Sequence, residues 1–306
     1  DITCASMPRI LAVGVATLDI INEVAAYPLE DAELRAFSQL VRRGGNATNT
    51  LVVLSQLGHQ CIWGGVLVDE PGTHVVLDDL ELYGINTDYC ARLGGGKLPT
   101  SYITLSRSSG SRTIVHFRDL PEYSSAAFEQ IPLESLDWVH FEGRNVAETL
   151  LMMQLVRRRA PRLPVSLEIE KSREGIERLF PLARFLLVSS DYVRESGREP
   201  ADQLQRIRQQ APQADLVCTL GGKGAIGLTR QGQCCSVPAC FPAKVVDTLA
   251  AGDTFNAGMI DSLCRQDDLE YAMRFASKLA GKKCGQSGLH GLNIPRHAGG
   301  DDCGKH

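Results

Sequence analysis

The sequence predicts an α/β fold: a mostly parallel central sheet flanked by helices, with a small β-sheet beside it. Two observations predict it. Apolar runs of strand length alternate along most of the chain with segments of helical periodicity, which is typical of parallel strands joined by helical crossovers. Two segments interrupt this alternation with short strand-like pieces that no helix follows. The 306 residues, 43% of them hydrophobic, suffice for one large domain or two ordinary ones.

The predicted elements of the core follow in chain order. ILAVGVATLD (10–19) is almost continuously apolar, as in a strand buried on both faces, and GGNATNTLVVLSQLG (44–58) has the helical period and stops at a glycine. CIWGGVLVD (61–69) is a strand and THVVLDDLELYG (73–84) a helix. The alternation continues with the strands LDWVHFEG, LPVSLEIE, FLLVSS and DLVCTLG, and with the helices AETLLMMQLVRRRA and DQLQRIRQQA.

The two interrupting segments predict the small sheet. Residues 21–44 contain short strand-like pieces around a proline and several acids, and residues 98–118 alternate on both sides of SSGS, which predicts a hairpin. A sheet of few strands with an open face needs covering, so it would form a lid over a site, pair with a second subunit, or both. The core then comprises residues 9–20, 45–97 and 119–292, and we expect disordered tails at 1–8 and 293–306.

Charge and cysteine usage exclude several classes of function. The net charge of −4 and a pI near 6 leave no basic stripe for a nucleic acid. No apolar run approaches the roughly 20 residues that span a bilayer. The ten cysteines are scattered without metal-ligand spacing, and no basic leader precedes the first apolar run. We therefore expect a cytoplasmic protein with free thiols.

Two glycine-rich segments are candidate binding loops. GGKGAIG (221–227) matches G-x-G-x-x-G, but β-like residues follow it, which predicts a strand-to-strand loop and disfavours a dinucleotide fingerprint. Close approach of a nucleotide to that backbone stays open. GGNATN (44–49) begins a helix, and Asn46 and Asn49 share one face of its first turn. They are either part of a capped turn or amides that bind the hydroxyls of a small polar ligand.

Charged residues follow two predicted strands. Asp19 ends the first strand at its carboxyl end, where parallel sheets bind ligands, although a solvated loop acid is the simpler interpretation. Glu142 and Arg144 of EGRN follow LDWVHF and form either a structural ion pair or a contact to phosphate. Arg112, on the second strand of the hairpin, is a further candidate phosphate ligand, or an exposed strand residue.

The segment VVDTLAAGDTFNAG (245–258) combines an acid with a helix start. Unpaired N–H groups and small side chains at a helix N-terminus make a cradle for phosphate. An acid at this place is usually a cap, but this short segment has two Asp-Thr pairs. A carboxylate beside a phosphate cradle, at Asp253, suits proton removal from an attacking hydroxyl.

Together, GGNATN and the later DTLAAGDTFNAG resemble the two signatures of the ribokinase-like carbohydrate kinases. The stretches YPLEDAELRA, GSRTIVHF, HFEGRN, VSLEIEKSRE and AGKKCG extend the resemblance over about residues 9–290 and favour the fructose-phosphorylating branch. The resemblance implies a ribokinase-like fold, ATP and Mg²⁺ as cofactors, and transfer of phosphate to the 1-hydroxyl of fructose. It also implies a homodimer whose subunits clasp through the β lid.

The resemblance implies a role for each matching residue. Asp253 is the expected general base, and the N–H groups of Ala250, Ala251, Gly252 and Asp253 are the expected anion hole. The expected sugar ligands are Asp19, Asp31, Gly45, Asn46, Asn49 and Asp253, with Asp31 from the same or the partner subunit. The expected nucleotide ligands are Arg112, Gly221, Gly222, Lys223, Gly224 and Cys284, together with the anion hole. Asp247 and Thr248 match a segment that helps relatives bind potassium.

Two departures from the family pattern concern the anion hole and the metal. Ala250 replaces the usual glycine, which is tolerable where its φ stays negative and would otherwise distort the anion hole. The Asn-x-x-Glu motif that organises magnesium is missing, and LVSSDYVRES offers only Asp191, through water. A kinase of another sugar or of a nucleoside stays open, as do a catalytically weak sugar-binding regulatory protein and a nucleotide-dependent oxidoreductase.

Overall fold

The computed structural model describes residues 7–296, and its fourteen described strands build three sheets. In chain order the strands are β1 (Arg9–Val13), β2 (Thr17–Val24), β3 (Ser38–Gly44), β4 (Gln60–Gly64), β5 (Val66–Val68), β6 (Ala91–Leu93), β7 (Thr100–Ser106), β8 (Arg112–Phe117), β9 (Trp138–Phe141), β10 (Val165–Ile169), β11 (Phe185–Val188), β12 (Asp215–Thr219), β13 (Ala225–Leu228) and β14 (Cys234–Val237).

Eight α-helices lie between and after the strands in the described range. They are α1 (Asn46–Gln56), α2 (Gly72–Leu82), α3 (Ser125–Phe128), α4 (Val146–Arg159), α5 (Ser190–Ser196), α6 (Pro200–Gln210), α7 (Ala251–Cys264) and α8 (Leu269–Cys284). Short 3₁₀ helices add Leu133–Ser135, Ile176–Leu182 and Gly221–Lys223. The predicted alternation of strands and helices is therefore confirmed.

The main sheet has eight strands in the order β14-β13-β12-β11-β10-β9-β1-β4. Strands β4, β1, β9, β10, β11 and β12 run parallel, and β13 and β14 continue the sheet antiparallel. Alternate side chains of β1 enter opposite cores, since Leu11 packs in one apolar cluster and Ile10 and Ala12 in the other. This explains why β1 is apolar at each position from Ile10 to Val13, as the sequence predicted.

The small sheet has the order β3-β2-β7-β8. The predicted hairpin in residues 98–118 is confirmed as β7 and β8, which pair antiparallel, and β2 joins β7 in parallel. Two predicted strands differ from the structure. Residues 61–69 divide into β4 of the main sheet and β5, which pairs with β6 in the two-stranded sheet. Residues 10–19 are not one strand either. The chain turns after β1 at Gly14, where a Cβ would lie 1.9 Å from Oε2 of Glu142. The chain then enters the small sheet as β2, so Asp19 does not end the first strand.

The described range also bears on the tails, the thiols and the membrane. The expected tails fall mainly on residues outside that range, but Arg296 donates a 2.7 Å hydrogen bond to Asp267, and Lys282 donates to the carbonyl of Asn293 at 2.8 Å. Seven of the ten cysteines are free thiols. Among residues 7–296, no helix combines the length and the apolar character that a bilayer crossing requires.

Candidate active site

A cavity of about 1090 Å³ collects most of the predicted site residues. It is lined by the small sheet, by the loops that follow β9 to β12, by the N-terminus of α7 and by the C-terminal half of α8. The predicted residues among its walls are Asp19, Gly45, Asn46, Asn49, Arg112, Glu142, Arg144, Asp191, Gly221, Gly222, Gly224, Thr248, Ala250, Ala251, Gly252, Asp253 and Cys284. Asp31, Lys223 and Asp247 are not among these wall residues, and the first two are exposed.

Asp253 lies in the first turn of α7 and is 6% exposed. Its Oδ2 accepts a hydrogen bond of 2.8 Å from Nδ2 of Asn49, in the first turn of α1. Burial raises the pKa of Asp253 to about 7, and the charges of Glu142 and Glu170 act in the same direction. The hydrogen bond from Asn49 and the guanidinium of Arg43 oppose that rise. The carboxyl group therefore titrates near neutral pH.

The residues before Asp253 form the N-terminus of a 14-residue helix. The N–H of Thr254 bonds to the carbonyl of Ala250 at 2.9 Å, so the N–H groups of Gly252 and Asp253 have no acceptor within the helix. A Cβ on Gly252 would meet no atom within 4 Å, which leaves open space beside these donors. An anion that enters the cavity can therefore reach them.

Ala250 adopts the left-handed conformation at this helix start, with φ 63° and ψ 15°. The sequence allowed alanine here only with a negative φ, and the structure does not meet that condition. The helix nevertheless begins regularly after it, because the carbonyl of Ala250 accepts from the N–H of Thr254 and also from its hydroxyl at 2.8 Å. The family glycine is thus replaced by a strained alanine.

Glu168 is a site residue that the sequence did not single out. It lies in β10, is 6% exposed, and accepts hydrogen bonds from the amides of Asn46 at 3.3 Å and Asn256 at 3.2 Å. Burial and the neighbouring charge of Asp253 raise its pKa well above the ordinary value. An acid inside the apolar strand LPVSLEIE is the sequence signal that marks it, because unpaired charges are rarely buried.

Asn46 does not cap α1. No side chain caps this helix, and the amide of Asn46 is bonded to Glu168 instead. Gly45, just before it, has a φ of 103°, and a Cβ there would lie 2.1 Å from the carbonyl oxygen of Val15. Only glycine fits this position. The capped-turn interpretation is therefore wrong, and the amides of Asn46 and Asn49 face the two buried acids.

Arg43 is a second site residue that the sequence did not single out. It is the penultimate residue of β3 and is 6% exposed. Its Nη1 donates to Oδ1 of Asn49 at 2.8 Å, and its Nε donates to Asp79 at 2.6 Å. The sequence signal was its place immediately before the double glycine. The helix and sheet pattern alone does not show that this arginine is buried.

Asp19 lies in β2, on the face of the small sheet that lines the cavity. The hydroxyl of Thr17 donates to its Oδ1 at 2.7 Å. Its Oδ2 lies against Gly44, where a Cβ would approach to 2.2 Å. The carboxylate is thus held at the cavity wall by the small sheet.

Glu142 and Arg144 form the structural ion pair that the sequence left as one alternative. Their side chains are 3.6 Å apart, and Arg144 also donates to Glu122 at 2.7 Å. Glu142 accepts from the N–H of Val15 at 2.8 Å, across the turn that separates β1 from β2. Burial raises its pKa to about 7, against the charge of Arg144. Both charged groups have protein partners, and this disfavours a phosphate role for Arg144.

The segment before α7 is fixed by cations of the protein itself. The ammonium of Lys283, buried at the end of α8, donates to the carbonyl of Asp247 at 2.8 Å and lies 3.1 Å from its carboxylate. Arg42 contacts the same carboxylate at 3.4 Å, and Arg112 donates to the hydroxyl of Thr248 at 3.3 Å. Burial works against ionisation of Asp247, but the N–H of Leu249 and the charge of Lys283 lower its pKa.

The remaining predicted residues lie in the loop after β12, at the end of α8 and in α5. The loop GGKGAIG joins β12 to the antiparallel β13 through a 3₁₀ turn, so it is the strand-to-strand loop that was predicted. The carbonyl of Cys284 accepts from the N–H of Val246 at 2.8 Å. Asp191, in α5, is paired with Arg194 and about half exposed. Among residues 7–296, no group of three histidines, cysteines or acids is arranged to hold a metal.

Comparison with known proteins identifies relatives over most of the chain, including the residues that line the cavity. Residues 7–295 match the family described as pfkB family carbohydrate kinase. Mouse ketohexokinase is 38% identical over 293 residues, which cover 93% of this chain and 98% of that protein. A fructosamine kinase of Bacillus subtilis is 29% identical, with coverage of 82% and 87%, and a ribokinase of the same organism is 25% identical, with coverage of 90% and 92%.

Solved structures share the fold at lower sequence identity. A putative ribokinase from Agrobacterium tumefaciens superposes with a TM-score of 0.81 at 24% identity, covering 92% of this chain and 93% of that one. Arabidopsis thaliana ribokinase complexed with ribose and ATP superposes with a TM-score of 0.78 at 19% identity, covering 92% and 94%. At this level of identity the similarity concerns the fold.

Proposed function

This chain belongs to the pfkB family of carbohydrate kinases, and we propose that it transfers the γ-phosphate of ATP to the 1-hydroxyl of fructose. The family makes it a sugar phosphotransferase with a ribokinase-like fold, and the identity to mouse ketohexokinase favours fructose among the sugars. The observation that carries the proposal is the buried carboxyl of Asp253, which lies at a helix start whose free N–H groups face an open cavity.

The sugar would bind between the small sheet and the N-terminus of α1. Asp19 offers carboxylate oxygens, Asn46 and Asn49 offer amides, and Gly45 offers its backbone. Such polar density favours a polyol, because each unpaired buried partner would cost about 1–3 kcal/mol. Asp253, with a pKa of about 7, would accept the proton of the attacking hydroxyl near neutral pH.

The phosphates would bind at the N-terminus of α7. The N–H groups of Gly252 and Asp253 would stabilise the charge that develops on the transferred phosphoryl group. The N–H of Ala251 would join them by exchanging its 3.3 Å bond to the carbonyl of Thr248 for a phosphate oxygen. Ala250 would shape this turn through its carbonyl, which starts the helix. Arg112 would contact the phosphates, because it reaches Thr248 directly before this turn. The nucleotide would lie along Gly221, Gly222, Gly224 and Cys284, without the side chain of the exposed Lys223.

Magnesium fits this site only as a companion of the nucleotide. It would neutralise phosphate charge, and in such sites it keeps several waters and takes one or two carboxylates. Asp191 lines the cavity and is the acid we assign to it, through water. Its ion pair with Arg194 leaves it about half exposed, so water can reach the carboxylate.

Potassium activation at Asp247 and Thr248 is a further part of the proposal, and it has the least structural support. The carbonyl and carboxylate of Asp247 already meet Lys283, and the hydroxyl of Thr248 meets Arg112. A potassium ion would share these oxygens with the protein cations. Turnover in potassium, sodium and tetramethylammonium salts at equal ionic strength tests this point, and equal rates would remove potassium from the proposal.

We also propose a homodimer through the small sheet. Val41, Ile20, Tyr102 and Val115 are neighbours across its four strands, on the opposite face from Asp19. Val41, Tyr102 and Val115 are 42%, 47% and 64% exposed, so they form a continuous apolar row that a second copy would cover. Asp31 lies outside the cavity of its own chain, and its role at the sugar would therefore require the partner subunit.

A coupled assay for ADP with fructose, ribose, adenosine and a fructosamine tests the function. We expect fructose to give the highest kcat/KM, and a product phosphorylated at the 1-hydroxyl. A wide preference for another acceptor would assign a different kinase. Asp253→Asn should retain fructose binding in calorimetry but lose turnover. Fructose binding by the wild type without any ADP formation would instead indicate a regulatory sugar-binding protein.

A further inference from the structure

We propose that Arg43 is a positioning residue for the base: its guanidinium fixes the side-chain amide of Asn49 so that Nδ2, and not Oδ1, faces Asp253. The inference rests on the proposed function in so far as Asp253 is the catalytic base. It goes beyond that function because it assigns a task to a residue that is joined to Asp253 by hydrogen bonds only through another side chain.

The contacts form one chain of hydrogen bonds from α2 to Asp253. Asp79, on α2, accepts from Nε of Arg43 at 2.6 Å, and Nη1 of Arg43 donates to Oδ1 of Asn49 at 2.8 Å. Nδ2 of Asn49 then donates to Oδ2 of Asp253 at 2.8 Å. Arg43, Asn49 and Asp253 are each less than 10% exposed, so little water competes with these bonds.

The chemistry of the two ends decides the orientation of the amide. A guanidinium has N–H donors and no acceptor, and an ionised carboxylate has acceptors and no donor. An asparagine between them has one orientation that satisfies both. The opposite orientation would place its NH₂ against the guanidinium and its oxygen against the carboxylate. Without Arg43, only the carboxylate of Asp253 favours this orientation, and the side-chain amide of Asn49 can rotate.

Arg43 is itself held from three sides. Besides Asp79, it donates to the hydroxyl of Thr48 at 2.9 Å, and that hydroxyl donates in turn to the carbonyl of Gly44 at 2.9 Å. Arg43 is also part of β3 of the small sheet. A displacement of β3 would therefore move the guanidinium and, through Asn49, the donor on the base. The small sheet and Asp253 are thus connected by hydrogen bonds through Arg43 and Asn49.

Arg43 also balances the charges around Asp253. The groups that face Asp253 are the carboxyls of Glu142 after β9, Glu168 in β10 and Glu170 after β10, and the guanidinium of Arg43 from β3. The charges of Glu142 and Glu170 raise its pKa and that of Arg43 lowers it. Removal of Arg43 should therefore shift the titration of Asp253 to higher pH, and the acid limb of the rate profile with it.

The test compares Arg43→Met, Arg43→Lys and Asp79→Asn with the wild type. Arg43→Met keeps the unbranched stem of the side chain as far as the position of Nε and removes the guanidinium donors. We expect kcat at pH 8.5 to fall about tenfold or more, the KM for ATP to stay within about twofold, and the acid limb to move up by about one pH unit. Arg43→Lys keeps the charge, so its acid limb should lie closer to that of the wild type than the limb of Arg43→Met does. Its kcat should recover less, because the geometry of the guanidinium is lost. Asp79→Asn, which leaves Arg43 in place, should change kcat in the same direction by less.

A double-mutant cycle separates positioning from a general effect on structure. In an Asn49→Ala background, Arg43→Met should lower kcat by less than about twofold, because the amide it orients is absent. Additive losses in the double variant, or an unchanged acid limb in Arg43→Met, would overturn the proposal. Thermal melting followed by circular dichroism shows whether each variant is folded. If Arg43→Met does not fold, Asp79→Asn supplies the test in its place.

A direct titration makes this inference separable from the proposed function. Carboxyl ¹³C NMR of ligand-free protein, with Asp253 assigned by its absence in Asp253→Asn, reports the pKa of the base without turnover. We expect the pKa to rise in Arg43→Met and to change less in Arg43→Lys. If the wild type fails to phosphorylate fructose while this shift occurs, the function is wrong and the role of Arg43 stands. If the wild type is active and the shift is absent, the role of Arg43 is wrong.

Discussion

Asn49 and Asp253 are 204 residues apart in the chain and are joined by a hydrogen bond of 2.8 Å. Each lies in the first turn of its helix, so α1 and α7 both point their N-termini at one place in the cavity. The partial positive charge of two helix N-termini thus meets a cluster of buried acids. The helix N-termini offset part of the cost of ionising Asp253 in its buried position.

The raised pKa of Asp253 predicts how the ligand-free protein responds to pH. Its folded value is about 7 against an ordinary value of 3.8, so the native state keeps a proton that the unfolded chain has lost. The associated stability is complete below about pH 4 and is lost as pH rises to about 7. We expect Asp253→Asn to melt like the wild type at pH 4 and to be more stable at pH 8, by up to a few kcal/mol. Equal melting curves at pH 8 would contradict the raised pKa.

Glu168 should stay protonated while Asp253 titrates, because burial and the charge of Asp253 raise its own pKa well above the ordinary value. Glu168→Gln keeps an oxygen that can accept from Asn46 and Asn256 and replaces a neutral acid by a neutral amide. The acid limb of kcat/KM for fructose should therefore stay within about half a pH unit of its wild-type position. Rates measured from pH 5.5 to 9 check this, with the exposed Glu129→Gln as control. A clear shift of the limb towards lower pH would show instead that Glu168 is ionised beside Asp253.

The sequence contained the chemistry of the site but not all of its geometry. Asp253, the helix start before it and the two amides of Asn46 and Asn49 are in contiguous motifs, so they could be singled out from local order. The split of residues 10–19 into two strands was not, because it depends on Gly14 packing against Glu142, 128 positions later. Burial of Arg43 and Glu168 was equally hidden, since each is stabilised by partners that only the tertiary fold supplies.

Lys283 should be essential for the loop that leads into the anion hole. Its ammonium is buried against the carbonyl and carboxylate of Asp247. Lys283→Met would leave these oxygens without their cation, and loss of one partner from a buried pair costs about 3–5 kcal/mol. We expect a clear drop in unfolding free energy in urea, and a higher KM for ATP. The neighbouring Lys282→Met, which removes an exposed contact to Asn293, is the control and should change both values little.

The outer face of the small sheet should control the oligomeric state. Val115, on β8, is 64% exposed and lies in the apolar row that the proposed partner covers. Val115→Glu would bury a charge in that interface, so light scattering after gel filtration should show a monomer where the wild type is a dimer. Val115→Thr, with nearly the same shape, should dissociate less. If Asp31 acts in the partner's site, the monomer should also show a raised KM for fructose. A monomeric wild type would exclude the proposed homodimer through the small sheet.

Variants at position 250 test whether alanine in place of the family glycine lowers the rate or the stability. A non-glycine residue at φ 63° carries about 1–2 kcal/mol of strain, whereas a new glycine makes the unfolded chain more flexible by about 0.4–1 kcal/mol. Ala250→Gly should therefore raise the unfolding free energy slightly. Ala251→Gly, the next residue and already helical, gains no relief and should lower it by about 0.5–1 kcal/mol. Paired urea titrations of the two variants measure the difference.

The same pair of variants separates backbone strain at Ala250 from distortion of the proposed anion hole. Because α7 begins regularly after Ala250, with the N–H of Thr254 bonded to its carbonyl at 2.9 Å, the free N–H groups already point into the cavity as a glycine would direct them. We therefore expect kcat of Ala250→Gly to stay within about twofold of the wild type, because stored strain that does not change between the ground and transition states cannot alter the rate. A rise of about tenfold would show instead that the methyl group of Ala250 displaces the phosphate from the anion hole.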